Sequence, residues 1–209
     1  MSDTPTITES WQRIEAWLSR HAPGSLAKLA PPATDEAIAT AEKAIGVEFP
    51  AQLVESLRCH DGLKRWGNMF PGQPPLEVRR IVAHWKMCME INEDLGEDAG
   101  EGNANFAEPW WHPLWIPFAE IDGDSQIIDL RPGPDHGRLG WAVHDNGGDF
   151  DEAWPDLAAY MHAVAEAYYA GGPVEHSYPY LLGDEVWWSP ADTTDVNGKP
   201  VTPAPIGVS

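Results

Sequence analysis

A nucleophile, a base and a carboxylate stand side by side at Cys59-His60-Asp61. Those residue types carry out covalent catalysis when thiol and imidazole meet. Neighbours on a helix point about 100° apart, so this triplet needs a contact made by the fold and not by the local chain. The bland alternative is a buried thiol followed by a helix stop at Asp61-Gly62. A second constellation is Asp145, Asp149 and Asp151. An EF-hand loop sets ligands at alternate positions and glycine at the sixth. Counted from Asp145, the third residue is Gly147 and the sixth is Phe150, so the calcium reading fails and a solvated turn remains. No His-Glu-x-x-His or His-x-His pair occurs, and no GxSxG, P-loop or GxGxxG. Gly96 to Gly102 carries glycine, but its acidic residues repel phosphate. A hydrolase would need His60 or His144 to converge with carboxylates in a pocket. No catalytic residue, metal or cofactor is assigned from the sequence.

The charge says more than the motifs. The 209 residues hold 33 acidic and 13 basic side chains, a formal net charge of −20. Affinity for a phosphate backbone comes from Lys and Arg, so nucleic acid is excluded as a direct partner. An acidic surface instead speeds encounter with a basic protein, or simply keeps the chain soluble. The expected acidic face comprises Glu120, Asp122, Asp124, Asp145, Asp149 and Asp151, joined by the unrelieved acidic run 90–101. Aromatic residues concentrate binding energy at interfaces and also fill cores. Of the 11 Trp, Trp11, Trp17, Trp85 and Trp115 are assigned to the core. Trp110, Trp111, Trp187 and Trp188 are the interface candidates.

These residues must be positioned by helices first and strands second. Thr6 and Glu9 form a candidate capping box before a helix whose apolar stripe is Trp11, Ile14, Trp17 and Leu18. Thr34 caps a second helix that Gly46 stops, Pro50 opens a third, and a fourth runs from Leu76 through Ile81, Trp85 and Cys88 or Met89. Leu114–Phe118, Gln126–Leu130 and Leu139–His144 read as three short strands of an antiparallel meander, with Pro117 at an edge or bulge. Asp145–Asp149 is read as a turn, and Pro155 opens a last helix closed by Gly171-Gly172. Tyr178–Leu182 and Glu185–Trp188 suggest a further strand pair, followed by a loose tail after Pro190. The class is therefore α+β: N-terminal helices and a C-terminal helix packed on a small, mainly antiparallel sheet. The chain divides into a disordered 1–9, a domain over 10–172, and an extension over 173–209. Two cysteines without CxxC spacing, no apolar leader and no long apolar window predict free thiols in a cytoplasmic protein with no membrane partner.

Set in order, these pieces resemble the Smi/Knr family of the SUKH superfamily. The likeness begins with the Trp-x-x-Ile-Glu-x-Trp-Leu helix from Trp11 to Leu18 and continues through Leu29-Ala30-Pro31-Pro32-Ala33-Thr34. It includes Ala41-Glu42 to Phe49-Pro50, the His60-Asp61-Gly62 stop, and the sheet from Trp115-Ile116-Pro117-Phe118-Ala119 to Gly140. The signature residues are Trp11, Trp17, Pro50, Gly62, Trp115, Pro117, Phe118, Asp124, Asp129 and Gly140. The chain departs from the family at Glu120–Asp124, which is shorter and more acidic, and at Trp141, which stands where the family has a polar residue. The resemblance implies a protein-binding role without catalysis or cofactor. Bacterial relatives suggest an immunity protein, monomeric or weakly dimeric, that occludes a basic toxin domain. Fungal relatives suggest the alternative, an intracellular regulator or scaffold of cell-wall synthesis and signalling.

Overall fold

The protein is represented by a computed structural model that describes residues 5–95, 108–151 and 153–208. Helix α1 (Ile7–His21) starts on the expected capping box: Thr6 Oγ1 accepts the Glu9 amide at 3.1 Å, and the Glu9 carboxylate accepts the Thr6 amide at 2.8 Å. Ile7 is fully buried. The order therefore begins inside the segment expected to be disordered, because the cap and the buried first-turn side chain hold it down. A short helix α2 (Pro23–Leu26) follows, then α3 (Asp35–Ile45), capped by Thr34 and ended by Gly46. Helix α4 (Ala51–Cys59) starts after Pro50, and α5 spans Val78–Leu95.

Four antiparallel strands come next in sequential order: β1 (Trp115–Ile121), β2 (Asp124–Asp129), β3 (Leu139–Val143) and β4 (Gly147–Asp149). Pro117 lies on the edge strand where the pairing register shifts, as its missing N–H requires. The segment before α5 partly covers that edge, with the Leu76 amide donating to Phe118 O and the Glu120 amide to Pro74 O. The assignment of Asp145–Asp149 wholly to a turn is corrected by β4. Glycine argues against a strand by propensity, but a Cβ on Gly148 would sit 2.3 Å from the Trp115 ring, so the indole demands glycine there.

The sheet is covered on both faces. Ile116, Phe118, Ile128 and Leu139 join the main core with α1, α4 and the last helix α6 (Leu157–Ala170). Trp115, Ile127 and Ala142 form a second cluster with Trp111 and with Cys88 of α5. The architecture is the α+β arrangement expected from the sequence. Trp11, Trp17 and Trp115 are core residues, and Trp85 packs against the core half-buried.

The tail is not loose. A second sheet contains β5 (Tyr178–Leu182) and β6 (Glu185–Ser189), with β9 (Thr202–Pro203) paired to the other edge of β5; β7 (Asp195–Val196) and β8 (Lys199–Pro200) form a small hairpin between. Val201 is buried, and the buried Trp17 donates its indole N–H to Pro205 O at 3.0 Å. A Pro- and Thr-rich stretch has no periodicity to announce itself, yet this one satisfies an open strand edge and a core indole. Among the described residues, no helix is long and apolar enough to cross a membrane.

Candidate functional site

Cys59, His60 and Asp61 do not form a thiol–imidazole–carboxylate chain. His60 Nδ1 lies 2.7 Å from Ala30 O and Nε2 lies 2.8 Å from Glu15 Oε1, with the Trp11 ring edge-on. Asp61 Oδ1 accepts the Val78 amide at 2.7 Å and so caps α5 from a distance. Cys59 faces Thr8 Oγ1 at 3.9 Å, and burial raises its pKa. Each side chain has its own partner, and none is aimed at another of the three.

A closer grouping went unnoticed in the sequence because its members are far apart. His84 and Cys88 share one face of α5, with Cys88 Sγ 3.5 Å from His84 Nε2, and Ser125 Oγ on β2 lies 2.5 Å from the same nitrogen. All three are buried, and burial pushes the Cys88 thiol up to about 12. The reactive thiolate is thus suppressed, which argues for packing over nucleophilic attack. Burial, reinforced by Arg80 and opposed by Glu120, also lowers the pKa of His84. The neutral ring is the form that can accept the Ser125 proton. Its stabilising contribution is present above the unfolded pKa of about 6.5 and is lost as pH falls from there toward the lower folded value. Thermal unfolding should therefore show a drop in midpoint from pH 7.5 to 5.5 that is larger in the wild type than in His84→Gln. The difference isolates His84 from His144, whose pKa Asp124 raises and whose contribution has the opposite pH dependence. Parallel curves for the two proteins would overturn this assignment.

The acidic candidates fall into two groups. At the β1–β2 turn, Glu120 pairs with Arg80 at 3.0 Å and accepts the Gly123 amide, while Asp122 occupies the turn with a positive φ of 54°. Asp124 accepts both the backbone amide of His144, at 2.9 Å, and a contact from its ring Nδ1 at 2.8 Å. Burial alone would raise the Asp124 carboxyl, but these bonds hold it below its usual value. Asp145 is exposed beside them. Of the acidic run, Glu90, Glu93 and Asp94 lie on the last turns of α5, and positions 96–101 lie outside the described residues.

Asp149 and Asp151 belong elsewhere. Gln126, Trp141 and Asp149 are cross-strand neighbours and form one row across β2, β3 and β4. This row, with Asp151, Trp154, Glu175 and His176, lines a cavity of about 180 Å³. Trp154 donates its indole N–H to Glu175 Oε1 at 3.2 Å, and Asp149 Oδ1 accepts the Asp151 amide at 2.8 Å. Trp154 and Glu175 lie on separate connections, and no local signal links them to the sheet.

The aromatic candidates need correction. Trp111 and Trp188 are 3% and 4% exposed and belong to the core. Trp188 donates to the Tyr168 hydroxyl at 3.1 Å, and that hydroxyl donates to Met69 O. Trp110 is half-buried, its indole N–H on His144 O. Trp187 is half-buried and meets Trp66 edge-to-face; Trp66, 53% exposed, was not among the candidates.

A family model described as SMI1 / KNR4 family (SUKH-1) matches residues 32–163, which covers α3 through the start of α6 and the whole four-stranded sheet. The chain belongs to the SMI1 / KNR4 family. Among similar proteins is the cell wall assembly regulator SMI1 of Saccharomyces cerevisiae, 25% identical over 68% of this chain and 36% of its own length. The cell wall biosynthesis/cell cycle regulator smi1 of Schizosaccharomyces pombe is 26% identical over 62% of this chain and 29% of its own. A glucan synthesis regulatory protein of Neurospora crassa is 22% identical over 76% of this chain and 37% of its own. The matches thus span about a third of the length of these relatives. Within the matched SMI1 / KNR4 segment, four of the signature residues make packing or ion-pair contacts. Trp115 and Phe118 pack on opposite faces of the sheet, Asp129 anchors two arginines, and Gly140 leaves room for the Phe150 ring, which a Cβ would meet at 2.3 Å.

Proposed function

We propose that this SMI1 / KNR4 protein is a non-catalytic regulatory module that acts by binding another protein. The observation that carries the reading is that the relatives cited above are described as regulators of cell-wall assembly, of cell-wall biosynthesis and the cell cycle, and of glucan synthesis. It favours the regulatory alternative over the expected toxin-neutralising immunity protein. The net charge of −20 supports a basic partner surface, met by the acidic β1–β2 turn and by the Asp149–Asp151 cavity.

The test is capture of the tagged full chain from its own cells at about 0.05 M and about 0.5 M salt, with mass spectrometry. The expected result is a stoichiometric protein partner whose association slows as salt rises, since exposed charges are screened within about 10 Å at 0.1 M ionic strength. Retention of no partner at either salt, with a deletion strain of unchanged wall composition, would sink the reading.

A further inference from the structure

We infer that the cavity beside β4 receives the guanidinium group of an arginine presented by the protein partner. This rests on the protein-binding reading above and adds the chemistry of the contact. Three carboxylates, Asp149, Asp151 and Glu175, share the cavity with two indoles, Trp141 and Trp154, over a floor that includes the buried Gln126. Acidic residues alone would say little, because this chain has them everywhere. What distinguishes these three is that they share one cavity with two indoles. Among the described residues, no Lys or Arg pairs with Asp149, Asp151 or Glu175, and none lines the cavity.

Size and shape narrow the ligand. A volume near 180 Å³ is below the roughly 300–1,000 Å³ typical of small-molecule sites and suits one inserted side chain. Indole faces attract cations, and a planar guanidinium both stacks on them and offers forked donors to carboxylates. A lysine ammonium is a compact, strongly hydrated charge with no planar face to stack on an indole and no fork to bridge two carboxylates.

The test uses the isotope-labelled full chain and blocked tripeptides, acetyl-Gly-X-Gly-amide, with arginine, lysine or citrulline at X. Citrulline keeps the shape and loses the charge. The arginine peptide should shift the indole N–H resonances of Trp141 and Trp154 with a dissociation constant on the order of 1 mM. Citrulline should bind at least about tenfold more weakly, and lysine more weakly than arginine. The exposed-site variants Asp149→Asn/Asp151→Asn and Glu175→Gln should each weaken arginine binding about tenfold without moving the thermal midpoint. Equal binding of citrulline, tighter binding of lysine, or unchanged affinity in both variants would overturn the inference. Absence of arginine binding with a partner still captured from cells would remove this site and keep the regulatory reading. Arginine binding with no captured partner would keep the site and remove that reading.

Discussion

Asp129→Ala should destabilise the protein by about 3 kcal/mol, read as a lowered urea midpoint at pH 7. Asp129 ends β2 with 2% of its surface exposed. Its Oδ1 accepts the Arg131 amide at 3.0 Å and Arg131 Nε at 2.9 Å; its Oδ2 accepts Arg131 Nη2 at 2.7 Å and Arg138 Nη2 at 3.3 Å. Arg131 Nη1 also donates to Glu108 at 2.6 Å. The two guanidinium groups lie over aromatic faces, Arg131 over Trp115 and Phe150 and Arg138 over Phe150 at 3.9 Å. Alanine would remove the shared acceptor and leave two cations on an apolar shelf with Glu108 and, 3.9 Å from Arg138, the exposed Asp135 as the remaining carboxylates. Breaking a fully buried pair costs about 3–5 kcal/mol. The arginine side chains keep 26% and 24% of their exposure, so solvent screening places this case at the lower end.

The pH dependence of that loss has a definite sign. Burial alone would push the Asp129 carboxyl up, but hydrogen bonds from the Arg131 side chain and amide, its charge, and Arg138 together hold it below the usual range. The contribution is therefore complete above the unfolded value of about 3.9 and is lost as pH falls through the lower folded value. Wild type and variant should differ most near neutrality and converge in strong acid. A constant gap down to pH 2 would show that the loss is packing and not charge.

Local signals in this chain were readable, and long-range ones were not. Thr6, Glu9, Thr34 and Gly46 announced their helix ends because a cap is chemistry within four residues. The meander was legible from short apolar runs joined by acidic and glycine turns between Trp115 and Val143, and Pro117 marked the edge. The pair Trp187-Trp188 could have been divided on the same ground: neighbours on a strand face opposite ways, so one of the two had to point inward. The order of the tail has no local signal because what holds it is a contact between Trp17 and Pro205. The acidic candidates form two groups and not one face, which the sequence does not show because it gives charge without position. The hairpin carries Asp124 and Asp145 to one end, and β4 carries Asp149 to a cavity whose other wall, Trp154 and Glu175, lies outside the sheet. The matched family segment contains the four-stranded sheet, and within it Trp115 and Phe118 fill the core, Asp129 pairs two arginines and Gly140 leaves room for a ring.

Gly62→Ala is expected to be comparably severe, about 3 kcal/mol, for a reason that separates conformation from space. Gly62 has φ +65°, a left-handed conformation that costs a side-chain-bearing residue roughly 1–2 kcal/mol. An added Cβ would also lie 2.6 Å from the Glu77 amide nitrogen and 2.8 Å from the Leu76 carbonyl carbon. These are backbone atoms, and both sides of the contact are tethered. The Ala30 amide donates to Gly62 O, Asp61 caps Val78, and the Leu76 amide donates to Phe118 O on the sheet edge. Relief would require the strap over β1 to lift, which adds about 1–3 kcal/mol of overpacking. Gly46 supplies the control: its φ is +74°, yet nothing lies within 4 Å of the position a Cβ would take. Gly46→Ala should therefore show only the conformational part, about 1 kcal/mol. Chemical denaturation of the two variants decides the matter: a midpoint shift two- to threefold larger at Gly62 identifies crowding as the reason for glycine in the His-Asp-Gly stop, and equal shifts would reduce that stop to a helix terminator.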